Sequence, residues 1–322
     1  MCFVIGGGER AVESPHRVVD EDPVHEEHRD EDDDRGGKWR SLANFNRTPF
    51  SRFTRLPLPD PRLDNDDRPL KVLVAISNPK DLGGSESTDG AEDDFETQDA
   101  ANKLPVVEVE KEIEAFYEAV KNFSDVVVTF MPGHTGITNQ ELLAKLKTPQ
   151  FRIVNGKMTI KLIQENLANH HILHFVGHGV FEKAPKKNAS VKSEAAAYSE
   201  EPVAAKPREL KRRATWLLLE DEDGNSDRVE DDEIVHSLIQ RGNENLPRLI
   251  FLSSCETSKH DERDPHRPFT SLGPKLVEAG FPAVVAMQDK VPMNVAGELT
   301  RNFYKNLLEE GMIDLALNRS RW

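Results

Sequence analysis

The fold turns on residues 171–179, His171-Ile172-Leu173-His174-Phe175-Val176-Gly177-His178-Gly179. The first six form a mostly apolar run of strand length, and Gly177-His178-Gly179 closes it. A strand apolar on both sides is the mark of a parallel sheet covered on both faces. Alternation puts His174 and Val176 on one side of the strand and turns His174 into the core. His178 falls beyond the strand, in a glycine-flanked turn.

The same pattern recurs on either side of this stretch. Lys71-Val72-Leu73-Val74-Ala75-Ile76-Ser77, residues 125–131, Arg248-Leu249-Ile250-Phe251-Leu252-Ser253 and residues 283–287 all read as core strands. Between them lie helical periods. Residues 105–122 carry Val106, Val109, Ile113, Phe116 and Val120 at spacings of three and four, and Pro105 opens that helix. Residues 139–146, 159–169, 231–240 and 269–279 follow as shorter helices. Residues 294–309 place Val295, Leu299, Phe303, Leu307 and Leu308 on one face, and Gly311 ends that helix. A last helix runs to the C-terminus. Strands alternating with helices predict an α/β fold, a doubly wound, mainly parallel sheet with helices on both faces. In such sheets, sites lie outside the C-terminal ends of the strands.

Three segments break the alternation. Residues 1–68 read as a disordered acidic tail and linker, because the run Asp30-Glu31-Asp32-Asp33-Asp34 repels itself and no apolar period follows. The polar loop 78–103 is long for a compact domain. Residues 182–213 form a low-complexity insertion, read as a surface loop open to nicking. One domain, 69–322, is therefore expected after the tail.

Composition narrows the function. The chain of 322 residues has 57 Asp and Glu against 42 Lys and Arg, a net charge of −15. Such acidity argues against nucleic-acid binding, which needs clustered cations. The one basic stretch, Lys206 to Arg213, has no interleaved aromatics and reads as a solvated loop. No apolar run reaches membrane-spanning length, so no membrane partner is expected. With two cysteines only, Cys2 and Cys255, a disulfide framework is not in view, and a reducing, cytoplasmic setting is expected. No Walker A loop or Gly-x-Gly-x-x-Gly follows the first strand, so a nucleotide site is not indicated. No cofactor and no metal are expected.

Two strands end in reactive residues, one in His178 and one in Cys255. Taken alone, a strand-end cysteine is more simply an inert thiol, and Gly-His-Gly is more simply a turn. Taken together, a thiol and an imidazole on one sheet edge have the parts for nucleophilic catalysis, provided their strands are neighbours. The backbone N–H groups of Gly179 and Cys255 are then candidates for an oxyanion hole. Glu256, Asp261 and Asp289 follow the motif strands. They are either solvated loop acids or the lining of a substrate pocket for basic side chains, with Glu256 and Asp289 the candidates for substrate binding.

The blocks 174–179, 249–257 and 271–288 occur in the order found in the CHAT family of caspase-like cysteine peptidases, and residues 69–322 resemble that family. The resemblance implies a caspase-like fold and a cysteine endopeptidase acting on a protein or peptide. It puts the catalytic histidine on His178 and the catalytic cysteine on Cys255. It also implies control by a regulatory protein partner or a signal. The 77-residue gap from His178 to Cys255 exceeds the caspase spacing of about 50. Removing the 32-residue insertion leaves 45. The family's further C-terminal strand has no counterpart before Trp322. A catalytically silent interaction or signalling module is the other reading of the same residues.

Overall fold

The computed structural model describes residues 2–6, 52–54, 63, 68–83, 104–183, 213–240, 246–254, 257, 271–287 and 291–320. Six parallel strands form its centre: β3 (Leu70–Ile76), β4 (Val126–Met131), β5 (Phe151–Ile153), β6 (Ile172–Val176), β10 (Leu249–Ser253) and β11 (Ala283–Ala286). β1 (Cys2–Gly6) and β2 (Arg52–Thr54) extend one edge, giving the order β2-β1-β11-β10-β6-β3-β4-β5. β1 runs antiparallel to β11, with Cys2 opposite Ala286. No strand is predicted from sequence before residue 71, and β5 too escapes the apolar pattern because it is three residues long.

The chain winds from β3 out to β5, then returns to the other side of β3 as β6 and continues to β10 and β11. The winding therefore reverses between β3 and β6, and their C-terminal ends open a crevice of the kind that holds ligands in α/β sheets. A second, antiparallel sheet lies across that edge. It consists of β7 (His178–Lys183), β8 (Arg213–Glu220) and β9 (Ser226–Glu230). Glu182, Lys183 and Arg213, read from sequence as insertion, belong to the β7–β8 hairpin, with Glu182 opposite Ala214 and Lys183 opposite Arg213. Residues 184–212 lie outside the described residues, as do 7–51 and 84–103.

Alternation along the strands divides the core. Val72, Val74, Ile76, Ile172, Val176, Leu249, Phe251 and Val285 pack against α1 (Val109–Val120), α6 (Met293–Glu310) and α7 (Ile313–Arg319). Leu73, Ala75, Leu173, Phe175, Ile250 and Leu252 face α3 (Ile160–Leu167), α4 (Asp231–Ile239) and α5 (Leu272–Glu278). A short helix, α2 (Gln140–Lys145), starts where the Asn139 side chain accepts from the N–H groups of Glu141 and Leu142. Gly311 ends α6 at φ 71°, a left-handed conformation open to glycine at no steric cost. Two expectations need correction. Residues 105–108 are not helical, and Val106 is 49% exposed, not in the core. Val295 is 45% exposed, because it lies on the first turn of α6, away from the sheet.

His174 is fully buried, as its place in the alternation predicts. Its ring stacks on Phe251 with centroids 4.7 Å apart, and its Nδ1 lies 3.0 Å from the Tyr304 hydroxyl. Burial pushes the imidazole down to about 3 and pushes the Tyr304 hydroxyl well up, so both are neutral. The unfolded chain takes up a proton at His174 near pH 6.5, whereas the folded chain waits until about 3. Stability is therefore complete above pH 6.5 and falls as the pH drops towards 3. The double variant His174→Phe, Tyr304→Phe removes this dependence. Its unfolding free energy, measured by denaturant titration at several pH values, is expected to fall less steeply below pH 6, by up to about 1.4 kcal/mol per pH unit.

Candidate active site

β6 and β10 are adjacent and parallel, and their last paired residues are Val176 and Ser253. His178 and Cys255 each follow that pair by two residues. The condition that the motif strands be neighbours is met, at a spacing of about 4.8 Å. Cys255 and Glu256 lie outside the described residues, but the residues on either side of them are fixed. Ser254 is buried. The Thr257 hydroxyl donates to the Ser254 carbonyl at 3.1 Å and accepts from the Met287 N–H at 3.3 Å. The Thr257 carbonyl accepts from the Gly273 N–H at 3.0 Å. Thr257 thus closes the Cys255-Glu256 pair back onto Ser254 and ties it to α5 and to the residue that follows β11.

His178 does not stand in a free turn. It is the first residue of β7, opposite Leu218, and Gly177 alone joins β6 to β7. Gly179 is buried in the same ladder opposite Leu217. The chain continues as a strand because Val180 packs on Leu82 and Leu218 and the Phe181 ring lies under the Arg213 guanidinium, contacts a turn would not supply. Gly177 is required by close approach: a Cβ there would come within 2.9 Å of the Phe175 ring and 3.3 Å of the Ser77 side chain.

The His178 ring is half-buried, and its Nε2 lies 2.7 Å from the carbonyl oxygen of Pro105. A carbonyl only accepts, so Nε2 carries the proton and the neutral ring keeps its lone pair on Nδ1. Burial moves this imidazole below its ordinary 6.5, and the Pro105 carbonyl, which favours the charged ring, opposes that shift. A neutral, oriented imidazole that keeps a lone pair on one nitrogen is the state required of a general base.

Pro105 escaped sequence reasoning because a backbone carbonyl has no residue signature, and a proline before an apolar period reads as a helix start. The segment 104–107 is instead a strap across the crevice. The Gly83 N–H donates to the Leu104 carbonyl at 2.9 Å, and the Val107 N–H donates to the Asn78 side-chain carbonyl at 2.9 Å. Leu104 and Val180 pack on Leu82 and Leu218.

Glu220, the last residue of β8, is fully buried at the same edge. Its Oε1 accepts from the Asn78 N–H at 3.1 Å and lies 3.2 Å from His134 Nδ1. Its Oε2 accepts from the N–H groups of His134 and Met158, each at 2.8 Å. A Cβ on Gly133 would come within 2.4 Å of Oε1, and φ there is 65°, so glycine is needed twice over. An acid closing the apolar run Trp216-Leu217-Leu218-Leu219 was the available signal for this role.

Of the remaining sequence candidates, Asp261 and Asp289 lie outside the described residues. An acidic trio, Glu230, Asp231 and Asp232, is close enough to hold a cation, but Lys275 already bonds Asp231 and Asp232, each at 2.6 Å. Among the described residues no helix is long and apolar enough to cross a membrane.

A family model described as CHAT domain matches residues 45–322. No curated protein matches the chain. No solved structure matches it either.

The four contacts to Glu220 make it the site where a single change should cost most. Glu220→Ala leaves three backbone donors and one imidazole facing a cavity. A loss of about 3–5 kcal/mol in unfolding free energy is expected. Glu220→Gln keeps the shape but turns an amide donor towards donors, so it should recover only part of that loss. Chemical denaturation of the two variants against the wild type checks the order.

Proposed function

The chain belongs to the CHAT domain family, and from that premise we propose that it is a cysteine endopeptidase with Cys255 as nucleophile and His178 as general base. The observation that supports the reading best is the pairing of Val176 with Ser253, since each motif residue follows that row by the same two positions. The anchored ring adds to it, because His178 presents Nδ1 and holds Nε2 on Pro105.

The reaction follows from these parts. Nδ1 takes the proton of the Cys255 thiol, and sulfur attacks the scissile carbonyl carbon. The carbonyl oxygen becomes an oxyanion, for which the N–H groups of Gly179 and Cys255 are the proposed donors. When the tetrahedral intermediate collapses, the C–N bond breaks and the proton on Nδ1 passes to the leaving amine. Water, deprotonated by Nδ1, then cleaves the thioester and restores the thiol. The substrate is a protein or peptide. Glu256 and Asp289 are the proposed pocket acids and favour a basic side chain beside the cut bond. A regulatory protein partner is proposed to control access.

Cleavage of a peptide library by wild type, Cys255→Ala and His178→Ala tests this. Both variants should lose cleavage while their unfolding free energies stay within about 1 kcal/mol of wild type. A Cys255→Ala variant that cuts at the wild-type rate ends the peptidase reading. A wild type that cuts nothing and alkylates Cys255 no faster than Cys2 favours the silent interaction module.

The lowered pKa of His178 gives a pH expectation with a definite sign. The base works when neutral, so kcat/KM should rise with pH through the folded value of His178 and level off above it. Because burial lowers that value, the midpoint of the acid limb should fall below 6.5. A pH–rate profile reads the midpoint directly.

A further inference from the structure

Asn78 is a buried polar side chain two residues beyond the C-terminal end of β3, beside the point where the sheet's winding reverses. Its backbone N–H and both ends of its side-chain amide are engaged, each with a different segment. Its N–H donates to Glu220 Oε1 at 3.1 Å. Its Nδ2 donates to the Thr135 hydroxyl at 3.0 Å. Its Oδ1 accepts from the Val107 N–H at 2.9 Å. Val107 is two residues after Pro105, whose carbonyl holds His178. The route from the buried carboxylate to the imidazole is thus continuous: Glu220, Asn78, the strap, Pro105, His178.

We propose that Asn78 is a positioning residue that selects the Nε2–H tautomer of His178 through the Pro105 strap; this rests on the reading of His178 as the base. The chemistry is one of donors and acceptors. An asparagine amide can face the strap with oxygen or with nitrogen, and only oxygen accepts the Val107 N–H. The Thr135 hydroxyl holds this orientation by accepting from Nδ2, while Glu220 fixes the Asn78 backbone. With the strap fixed, the Pro105 carbonyl stays within reach of Nε2 and nowhere else on the ring. If the amide is removed or free to flip, Val107 loses its acceptor, and the strap keeps the Leu104 hydrogen bond and the apolar packing of Leu104 and Val107, neither of which fixes the Pro105 carbonyl by a directed bond. The neutral ring then distributes its proton between both nitrogens. Nδ1 is unavailable as a base for the share of molecules in which it is protonated.

The test uses the full-length chain labelled with nitrogen-15 at histidine, with His178→Gln to assign the signals. Ring nitrogen shifts report the tautomer directly. Wild type should show Nε2 protonated. Asn78→Ala should show a mixture, the two ring shifts moving towards each other. Alkylation of Cys255 by iodoacetamide should slow about tenfold in that variant, the equivalent of one net hydrogen bond. Should Asn78→Ala fail to fold, Thr135→Val carries the test, because Thr135 is exposed and its loss frees the amide to flip. Thr135→Ser, which keeps the hydroxyl, should restore the wild-type shifts. A folded Asn78→Ala, or Thr135→Val, with a lowered melting temperature and an unchanged tautomer overturns the proposal. A wild-type Cys255 no more reactive than Cys2 counts against the peptidase reading alone, since the ring shifts judge Asn78 without it.

Discussion

The carboxylate of Glu220 holds together the edge of the sheet at which the candidate site lies. Burying a carboxylate is costly, and the cost is offset only when its lone pairs are filled. Here they are filled by the N–H groups of Asn78, His134 and Met158 and by the His134 ring. Those donors follow β3, follow β4 and precede α3, and Glu220 itself ends β8. One side chain therefore links the parallel sheet to the small antiparallel sheet laid across it. Ser77 adds a second link, its hydroxyl donating to the Leu218 carbonyl at 2.8 Å. The result is a rigid frame around the crevice between β3 and β6. A frame of this kind holds the His178 ring in one orientation, which is what the proposed role of a general base requires in advance.

Two histidines four residues apart show how place decides chemistry. His174 lies inside β6, stacks on Phe251 and meets Tyr304, and burial removes its charge. It fills space and satisfies a hydroxyl. His178 lies past the strand, where the ring is half-buried and held at Nε2 by a backbone carbonyl. The same side chain is structural in one place and available for proton transfer in the other. The difference arises from Gly177, which lets the chain leave one sheet and enter the second within a single residue.

The strap 104–107 explains why a helix begins later than its apolar period suggests. Val106 and Val109 sit three apart, as helix neighbours do, yet Val106 faces outward and Val107 is bound to Asn78. A hydrogen bond to a buried amide outweighs the extra turn of helix that propensity would allow. β7 and β9 were missed for a related reason. Their pairing partner is β8, across a gap of 29 residues in the first case, and neither strand has enough apolar alternation to declare itself. β1 pairs with β11 and β2 pairs with β1, long-range matches that no local pattern encodes.

The sequence alone determined the parallel core, because strands buried on both faces must be continuous apolar runs and helices packed on them must be amphipathic. Both patterns are local and survive in the order of residues. It also determined that a histidine and a cysteine follow two of those strands, and that His174 faces inward. Tertiary structure alone decided that the two strands are neighbours in register, since pairing between residues 77 apart is set by packing and not by local preference. It decided, too, which nitrogen of His178 is free. That outcome depends on a backbone carbonyl, a buried amide and a buried carboxylate that come from three distant segments, and their meeting has no signature until the chain is folded.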